Sequence, residues 1–371
     1  MIKDDRIKVL CVVGTRPEAI KMAPVISALR KEPWAKVRVL ATAQHREMLD
    51  QMFSIFGIIS DIDLDIMKPG QDLTQLTARL LLHLDQVFHS EKPDAVLAQG
   101  DTTTVMTVAL VCFYQKIPFG HVEAGLRTWD MQNPFPEEMN RVLAGKFARW
   151  HLAPTESSRK NLLKEGVPDS NIFVTGNTVI DSLLTVTKKD MELPLNLDPQ
   201  KKLILLTAHR RENLGKPFIN ICQAVLKLVE QNPNVQVLYP VHLNPNVHDT
   251  AYQFLSRNKR ILLCEPLDYV SFVMAMKQAY LILSDSGGIQ EEAPALGKPV
   301  LVLRNTTERP EAVEQGVVKL VGTNVDTIVG ETQNLLDNEA AYRKMARGIS
   351  PYGDGHAAER IVNILKRYFC S

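Results

Sequence analysis

Short apolar runs alternate with longer helical patterns along the whole of this 371-residue chain, and no other feature narrows its fold so far. The runs IKVLCVV, KVRVLAT, DAVLAQ, IPFGHV and WHLAP come first, followed by KLILLTA, VQVLYP, RILLC, LILS, PVLVL and VVKLV. Each has strand length and ends at polar or turn-forming residues. Between them Leu73, Leu76, Leu80, Leu84 and Val87 recur at helical spacing, and Pro17 and Pro136 stand where first-turn prolines belong. This alternation is the signature of parallel sheets flanked by helices, an α/β chain.

The chain is too long for one ordinary core at about 150 residues per domain. The pattern falters between about Asn177 and Lys201, where MELPLNLDPQ has the composition of a linker. The expected division is 1–176, 177–354 and a final helix, 355–371, free to pack back on either domain and expected first on the N-terminal one.

Lys and Arg number 43 against 42 Asp and Glu, so no overall basic field invites nucleic acid. Hydrophobic residues at 45% and charged residues at 23% place the chain with folded globular proteins. Cys11, Cys112, Cys222, Cys264 and Cys370 are odd in number and far apart, which predicts reduced thiols in a cytoplasmic protein. The start, MIKDDRIKVL, is charged where a secretory segment would be apolar, and VMTVALVCFY is too short to span a bilayer. No membrane partner is expected.

In open parallel sheets ligands bind beyond the carboxyl ends of the strands. The polar clusters GTRPEAIK, QGDTTT, HVEAGLRTWD, AHRREN, PVHLNPN, SDSGG and RNTTERPE fall in those places, and two such sets imply an interdomain cleft. In LILSDSGGIQEE a strand turns into a helix that Gly297 ends. The N–H groups of Ser286, Gly287 and Gly288 at its start suit an anion, and Glu292 one turn on suits a ribose diol. Glu291 is read as a first-turn carboxylate favouring the helix dipole. Arg16 and Lys21 in GTRPEAIK are cations able to neutralise a diphosphate.

Asp101, Glu123 and Glu137 are the candidate acid–base groups. For each the competing role is a cap or a pair with Arg127 or Arg141. His209 can donate to a leaving phosphate, whereas His121 reads as a core histidine. His242 and His248 have no HExxH, DxD or Cys/His companion, so no metal is expected. With no GxGxxG and no Gly-Lys-Ser/Thr loop, neither a dinucleotide cofactor nor triphosphate hydrolysis is expected.

Taken together, GTRPEAIKMAPV, AQHREMLDQ, GDTTT, HVEAGLRT, PFPEEMNR, GNTVIDSL, AHRREN, YPVHLNPNV, SDSGGIQEEAPALGKPVLVLRNTTERPEA and SPYGDG resemble the non-hydrolysing UDP-N-acetylglucosamine 2-epimerases of bacteria. The resemblance implies the glycosyltransferase-B fold, two Rossmann-like domains, and a cytoplasmic homodimer without metal or nicotinamide. It implies interconversion of UDP-GlcNAc and UDP-ManNAc for surface polysaccharides. Residues matching that family's substrate site are Arg16, Lys21, Asp101, Glu123, Arg141, His209, Leu267, Phe272, Ser286, Gly287, Gly288, Glu292 and Arg309, with Asp101, Glu123, Glu137 and His209 catalytic. Gln44, His45, Arg210 and His242 match a second, regulatory UDP-GlcNAc site. The nearest rivals are a hydrolysing relative that releases ManNAc and UDP, a glycosyltransferase on the same fold, and a UDP-sugar sensor.

Overall fold

The computed structural model describes residues 5–42, 46–66, 70–189, 191 and 193–370, so Gln44 and His45 lie outside the described residues. The described strands are β1 (Ile7–Val13), β2 (Ala35–Ala41), β3 (Ile62–Asp63), β4 (Ala95–Gln99), β5 (Phe119–Val122), β6 (Trp150–Ala153) and β7 (Ile172–Val174). They continue with β8 (Lys202–Thr207), β9 (Val235–Pro240), β10 (Ile261–Cys264), β11 (Leu281–Ser284), β12 (Val300–Val302) and β13 (Val318–Leu320). Strands β3 and β7, of two and three residues, escape the sequence reading; the equally short β12 and β13 do not, because the longer apolar runs PVLVL and VVKLV contain them. Both β3 and β7 are sheet edges.

The chain forms two compact units, Met1–Ser182 with Tyr352–Ser371 and Leu183–Pro351. The first holds a parallel sheet in the order β3-β2-β1-β4-β5-β6-β7, the second one in the order β10-β9-β8-β11-β12-β13. Each order grows outward from its first strand in both directions, the doubly wound Rossmann arrangement. Its topological switch point lies between β1 and β4 in one unit and between β8 and β11 in the other.

The strands are apolar throughout because helices cover both faces; all five residues of β4 are buried. Leu10, Val12, Val96 and Phe119 form one core with Leu80 and Leu84 of the helix Leu73–Glu91. Ile204, Leu206, Val237, Tyr239 and Leu283 centre the other. Fully burying such a side chain contributes roughly 1.5–3 kcal/mol.

The division falls at Ser182, inside the helix Thr178–Thr187, rather than ahead of it. The final helix, Ala357–Phe369, packs against the helix Arg16–Arg30 of the first unit. Asp181 accepts from the N–H groups of Ala357 at 3.2 Å and Ala358 at 2.9 Å. Cys11, Cys112 and Cys222 are buried free thiols, Cys264 is half-buried and Cys370 exposed. No described helix is long and apolar enough to cross a membrane.

Candidate active site

In the first unit the turn after β1 starts the helix Arg16–Arg30. Thr15 is its N-cap, and Glu18 completes a capping box by accepting from the N–H groups of Gly14 at 2.5 Å and Thr15 at 3.1 Å. One turn on, Lys21 reaches the end of β5, where its Nζ lies 2.8 and 2.7 Å from the two carboxylate oxygens of Glu123. Gln99 Nε2, at the end of β4, and Asn177 Nδ2, at 3.1 Å, donate to the same carboxylate. Lys21, expected opposite a diphosphate, is thus an ion-pair partner of Glu123. Glu123 is buried and holds a left-handed backbone, φ 66°. Such a conformation is costly for a residue with a Cβ and is kept where the surroundings impose it.

Asp101 follows β4. Its carboxylate lies 2.8 Å from Arg141 Nη2, and its carbonyl accepts from Asn140 Nδ2 at 2.9 Å. Both partners stand on the helix Glu137–Phe147. Burial raises the Asp101 pKa; Arg141 and Lys21 oppose that shift, while Glu123 and Glu137 add to it. The three carboxylates read from the sequence therefore share one electrostatic neighbourhood with two cations. Arg127 pairs instead with Glu165, at 2.6 Å from Nε.

Of the two adjacent glutamates, Glu138 is the buried one, accepting from the N–H groups of Thr128 and Trp129 at 3.0 Å each. It shapes the loop before the helix, whereas Glu137 is half-buried. Pro136 is the N-cap, one position outside the first turn. His121 is a core residue: its Nε2 meets the Gly100 carbonyl at 2.7 Å, and burial lowers its pKa to about 4.

In the second unit the turns after β8 and β11 meet on Asp285, which is wholly buried. One oxygen, Oδ2, accepts from the N–H groups of His209 at 2.9 Å and Arg210 at 2.8 Å and from Asn213 Nδ2 at 3.0 Å. Oδ1 faces His209 Nδ1 at 3.8 Å. The His209 ring stacks on His242, centroids 5.4 Å apart. Burial lowers the His209 pKa; Asp285 opposes that shift while His242 and Arg210 add to it, so the imidazole is biased towards its neutral form.

The short helix Gly287–Glu292 begins after Ser286, whose N–H is engaged by Ser284 Oγ at 3.0 Å. The anion-facing donors read from the sequence thus reduce to Gly287 and Gly288, whose N–H groups have no partner within the helix. Neither glycine has positive φ. A Cβ on Gly287 would meet Arg210 Nη2 at 3.6 Å, and one on Gly288 would meet Ser286 Oγ at 3.9 Å, both ordinary contacts. Among the described residues nothing demands glycine at either place, and each has room beside the backbone for a Cβ.

Glu292 is buried at the end of that helix, and Glu291 pairs with Arg309, whose Nε donates to it. Arg309 and Glu291 are therefore ion-pair partners. Leu267 and Phe272 are half-buried around the N-terminus of the helix Tyr269–Gln278. Arg16 is exposed on the first turn of its helix. Arg210 lies 3.8 Å from Glu308, and His242 Nδ1 accepts from the N–H of Asn244 at 3.0 Å.

Sequence reasoning missed Gln99, Asn177, Glu18 and Asp285. The last two carried a signal: Glu18 is the fourth residue of a T-x-x-E capping pattern, and Asp285 directly follows an apolar strand. Among the described residues no three His, Cys, Asp or Glu side chains are arranged to hold a metal ion.

Two Rossmann-like domains, one rich in acid–base groups and one with an anion-type helix start, define the class as a nucleotide-sugar protein of the glycosyltransferase-B fold. The glycotransferase of kitacinnamycin shares this fold at TM-score 0.66 and 10% identity, covering 98% of this chain and 99% of its own. A family model described as UDP-N-acetylglucosamine 2-epimerase matches residues 27–366. The UDP-N-acetylglucosamine 2-epimerase of Salmonella typhimurium is 54% identical over 371 residues, 97% of this chain and 99% of that one. The crystal structure of the Neisseria meningitidis UDP-GlcNAc 2-epimerase bound to UDP-GlcNAc is similar at TM-score 0.87 and 49% identity, covering 97% and 100% of the two chains. The chain belongs to the UDP-N-acetylglucosamine 2-epimerase family.

Proposed function

We propose that this chain is a non-hydrolysing epimerase that interconverts UDP-GlcNAc and UDP-ManNAc at C2 by eliminating and re-adding UDP. The observation that carries the reading is the Glu123 carboxylate, buried at φ 66° and held by Lys21, Gln99 and Asn177 beside Asp101. A buried, oriented carboxylate among other carboxylates is what proton transfer at an unactivated carbon needs.

In the forward half-reaction a carboxylate removes the C2 proton while the C1–O bond breaks, giving 2-acetamidoglucal and UDP. In the return half-reaction UDP adds to C1 and a proton reaches C2 from the opposite face. Because C2–H is a poor acid, charge on the departing diphosphate must be stabilised as it forms. Gly287 and Gly288 N–H groups, the Ser286 hydroxyl, Arg16 and Arg309, the last oriented by its pairing with Glu291, serve that end, with His209 donating to the phosphate. Glu292 holds the ribose, and Leu267 and Phe272 lie by the uracil. Asp101, Glu123 and Glu137 divide the proton transfers, and coupled groups of this kind titrate as a set. Lys21 and Arg141 orient two of them. The same reading makes the protein a cytoplasmic homodimer supplying ManNAc units for surface polysaccharide.

The test is an NMR time course of UDP-GlcNAc incubated in D₂O. Expected are UDP-GlcNAc and UDP-ManNAc, both deuterated at C2 and with UDP still attached. Free ManNAc as the main product would move the chain to the hydrolysing class. No conversion without an added acceptor would favour a transferase or a sensor. An unlabelled epimer would exclude exchange between the two half-reactions.

A further inference from the structure

Glu18 belongs to none of the roles assigned above, yet it is 2% exposed and stands at the switch point of the first sheet. An ordinary capping-box glutamate reaches back to its own N-cap and otherwise faces water. Glu18 uses one oxygen in that way, on Gly14 and Thr15. Its other oxygen accepts from Thr102 Oγ1 at 2.7 Å. Thr102 is the N-cap of the next helix in the sheet, Thr103–Gln115, and follows Asp101 directly.

One carboxyl therefore ties the start of the helix that carries Lys21 to the turn that carries Asp101. The two turns also touch around Gly14, where a Cβ would come within 2.8 Å of Thr42 Oγ1 and 2.9 Å of Thr104 Oγ1. Thr42 and Thr104 are themselves 3.3 Å apart.

The second unit repeats the device. Asp285, wholly buried and following β11, gathers His209, Arg210 and Asn213 from the turn after β8. In both halves one buried carboxyl joins the two switch-point turns. Burying such a group is costly, and an apolar replacement of similar size is often no less stable, so stability alone is a poor reason for it.

We propose that Glu18 is a positioning residue whose carboxyl clamps the turn after β1 to the turn after β4 and so fixes Asp101 relative to Lys21. This rests on the reading of Asp101 as an acid–base group. A misplacement of about 1 Å in such a group can cost about 10²-fold in rate. The clamp therefore acts on kcat more than on binding.

The test uses the full chain and UDP-GlcNAc, with kcat, KM and melting temperature measured for Thr102→Ala, Thr102→Ser, Glu18→Ala, the Glu18→Ala/Thr102→Ala pair and Asp101→Asn. Thr102→Ala and Glu18→Ala are each expected to lower kcat about tenfold or more, leaving KM within about twofold. The pair should lower kcat no further than the worse single variant, since both variants remove the same Thr102–Glu18 bond. Thr102→Ser, which keeps the hydroxyl, should restore kcat to near the parent value. If Glu18→Ala fails to fold, the two Thr102 variants alone decide. A Thr102→Ala protein with lowered melting temperature but unchanged kcat per folded molecule would overturn the clamp and leave Thr102 as a plain helix cap. Normal turnover in Asp101→Asn would overturn the acid–base reading, and the clamp with it, whatever the Thr102 variants do.

Discussion

Glu18 shows how much one side chain depends on where its neighbours put it. Burial raises its pKa from 4.5 to about 7, although hydrogen bonds from Thr102, Gly14 and Thr15 pull the other way and nearby Asp101 adds to the rise. The folded protein thus holds this proton more tightly than the unfolded chain does. Its contribution to stability is fully present below the unfolded value, near 4.5, and is lost as pH rises through about 7. At ~1.4 kcal/mol per pKa unit the change is on the order of 3 kcal/mol across that window. Denaturant unfolding of the parent and of Glu18→Gln at a series of pH values checks this. The stability difference between them should fall steadily from pH 4.5 to 7 and then level off; a constant difference would mean that Glu18 keeps an ordinary pKa.

Among the elements, it is the turns after the strands that separate glycines required by packing from glycines that packing does not require. Gly14 and Gly287 both stand at strand-to-helix turns and both have negative φ, yet a Cβ would meet very different surroundings. At Gly14 it would press within 3.1 Å of three oxygens, on Thr42, Thr104 and Glu18. Gly14→Ala should therefore destabilise the first unit by about 1–3 kcal/mol, the usual cost of overpacking. At Gly287 the nearest atom would be 3.6 Å away, and alanine suits a helix start at least as well as glycine. Gly287→Ala should leave the melting temperature unchanged while weakening UDP binding by tenfold or more, about 1.4 kcal/mol. Calorimetric titration with UDP, alongside thermal unfolding of both variants, measures the contrast. UDP binding undisturbed in Gly287→Ala would remove the diphosphate from that helix start.

At the scale of the whole molecule, the first unit combines Met1–Ser182 with Tyr352–Ser371, and the last helix is tied into it by a cap and by apolar packing. Asp181 caps the last helix through the Ala357 and Ala358 N–H groups, and Trp150 packs edge-on against Tyr368 at 5.0 Å. Asp181→Ala should cost about 1–2 kcal/mol, the worth of a strong cap. Hydrogen exchange should show faster opening over Ala357–Phe369 and in the helix Arg16–Arg30 beneath it; protection unchanged in both would show that apolar packing alone holds the last helix.

The sequence by itself determined the α/β class, eleven of the thirteen described strands and the placing of polar turns at strand ends. Apolar period and turn chemistry are local properties that any stretch of about ten residues displays. Only the tertiary structure decided that Lys21 serves Glu123, that Arg309 is taken by Glu291 and that Glu138 is buried while its neighbour is not. It alone showed Asn177 at the Glu123 carboxylate, 54 positions along the chain, and Thr102 at Glu18, 84 positions away. The physical reason is that the partner of a buried charge is chosen by which strands lie side by side. That adjacency comes from the packing of the whole sheet and leaves no trace in the spacing of residues along the chain.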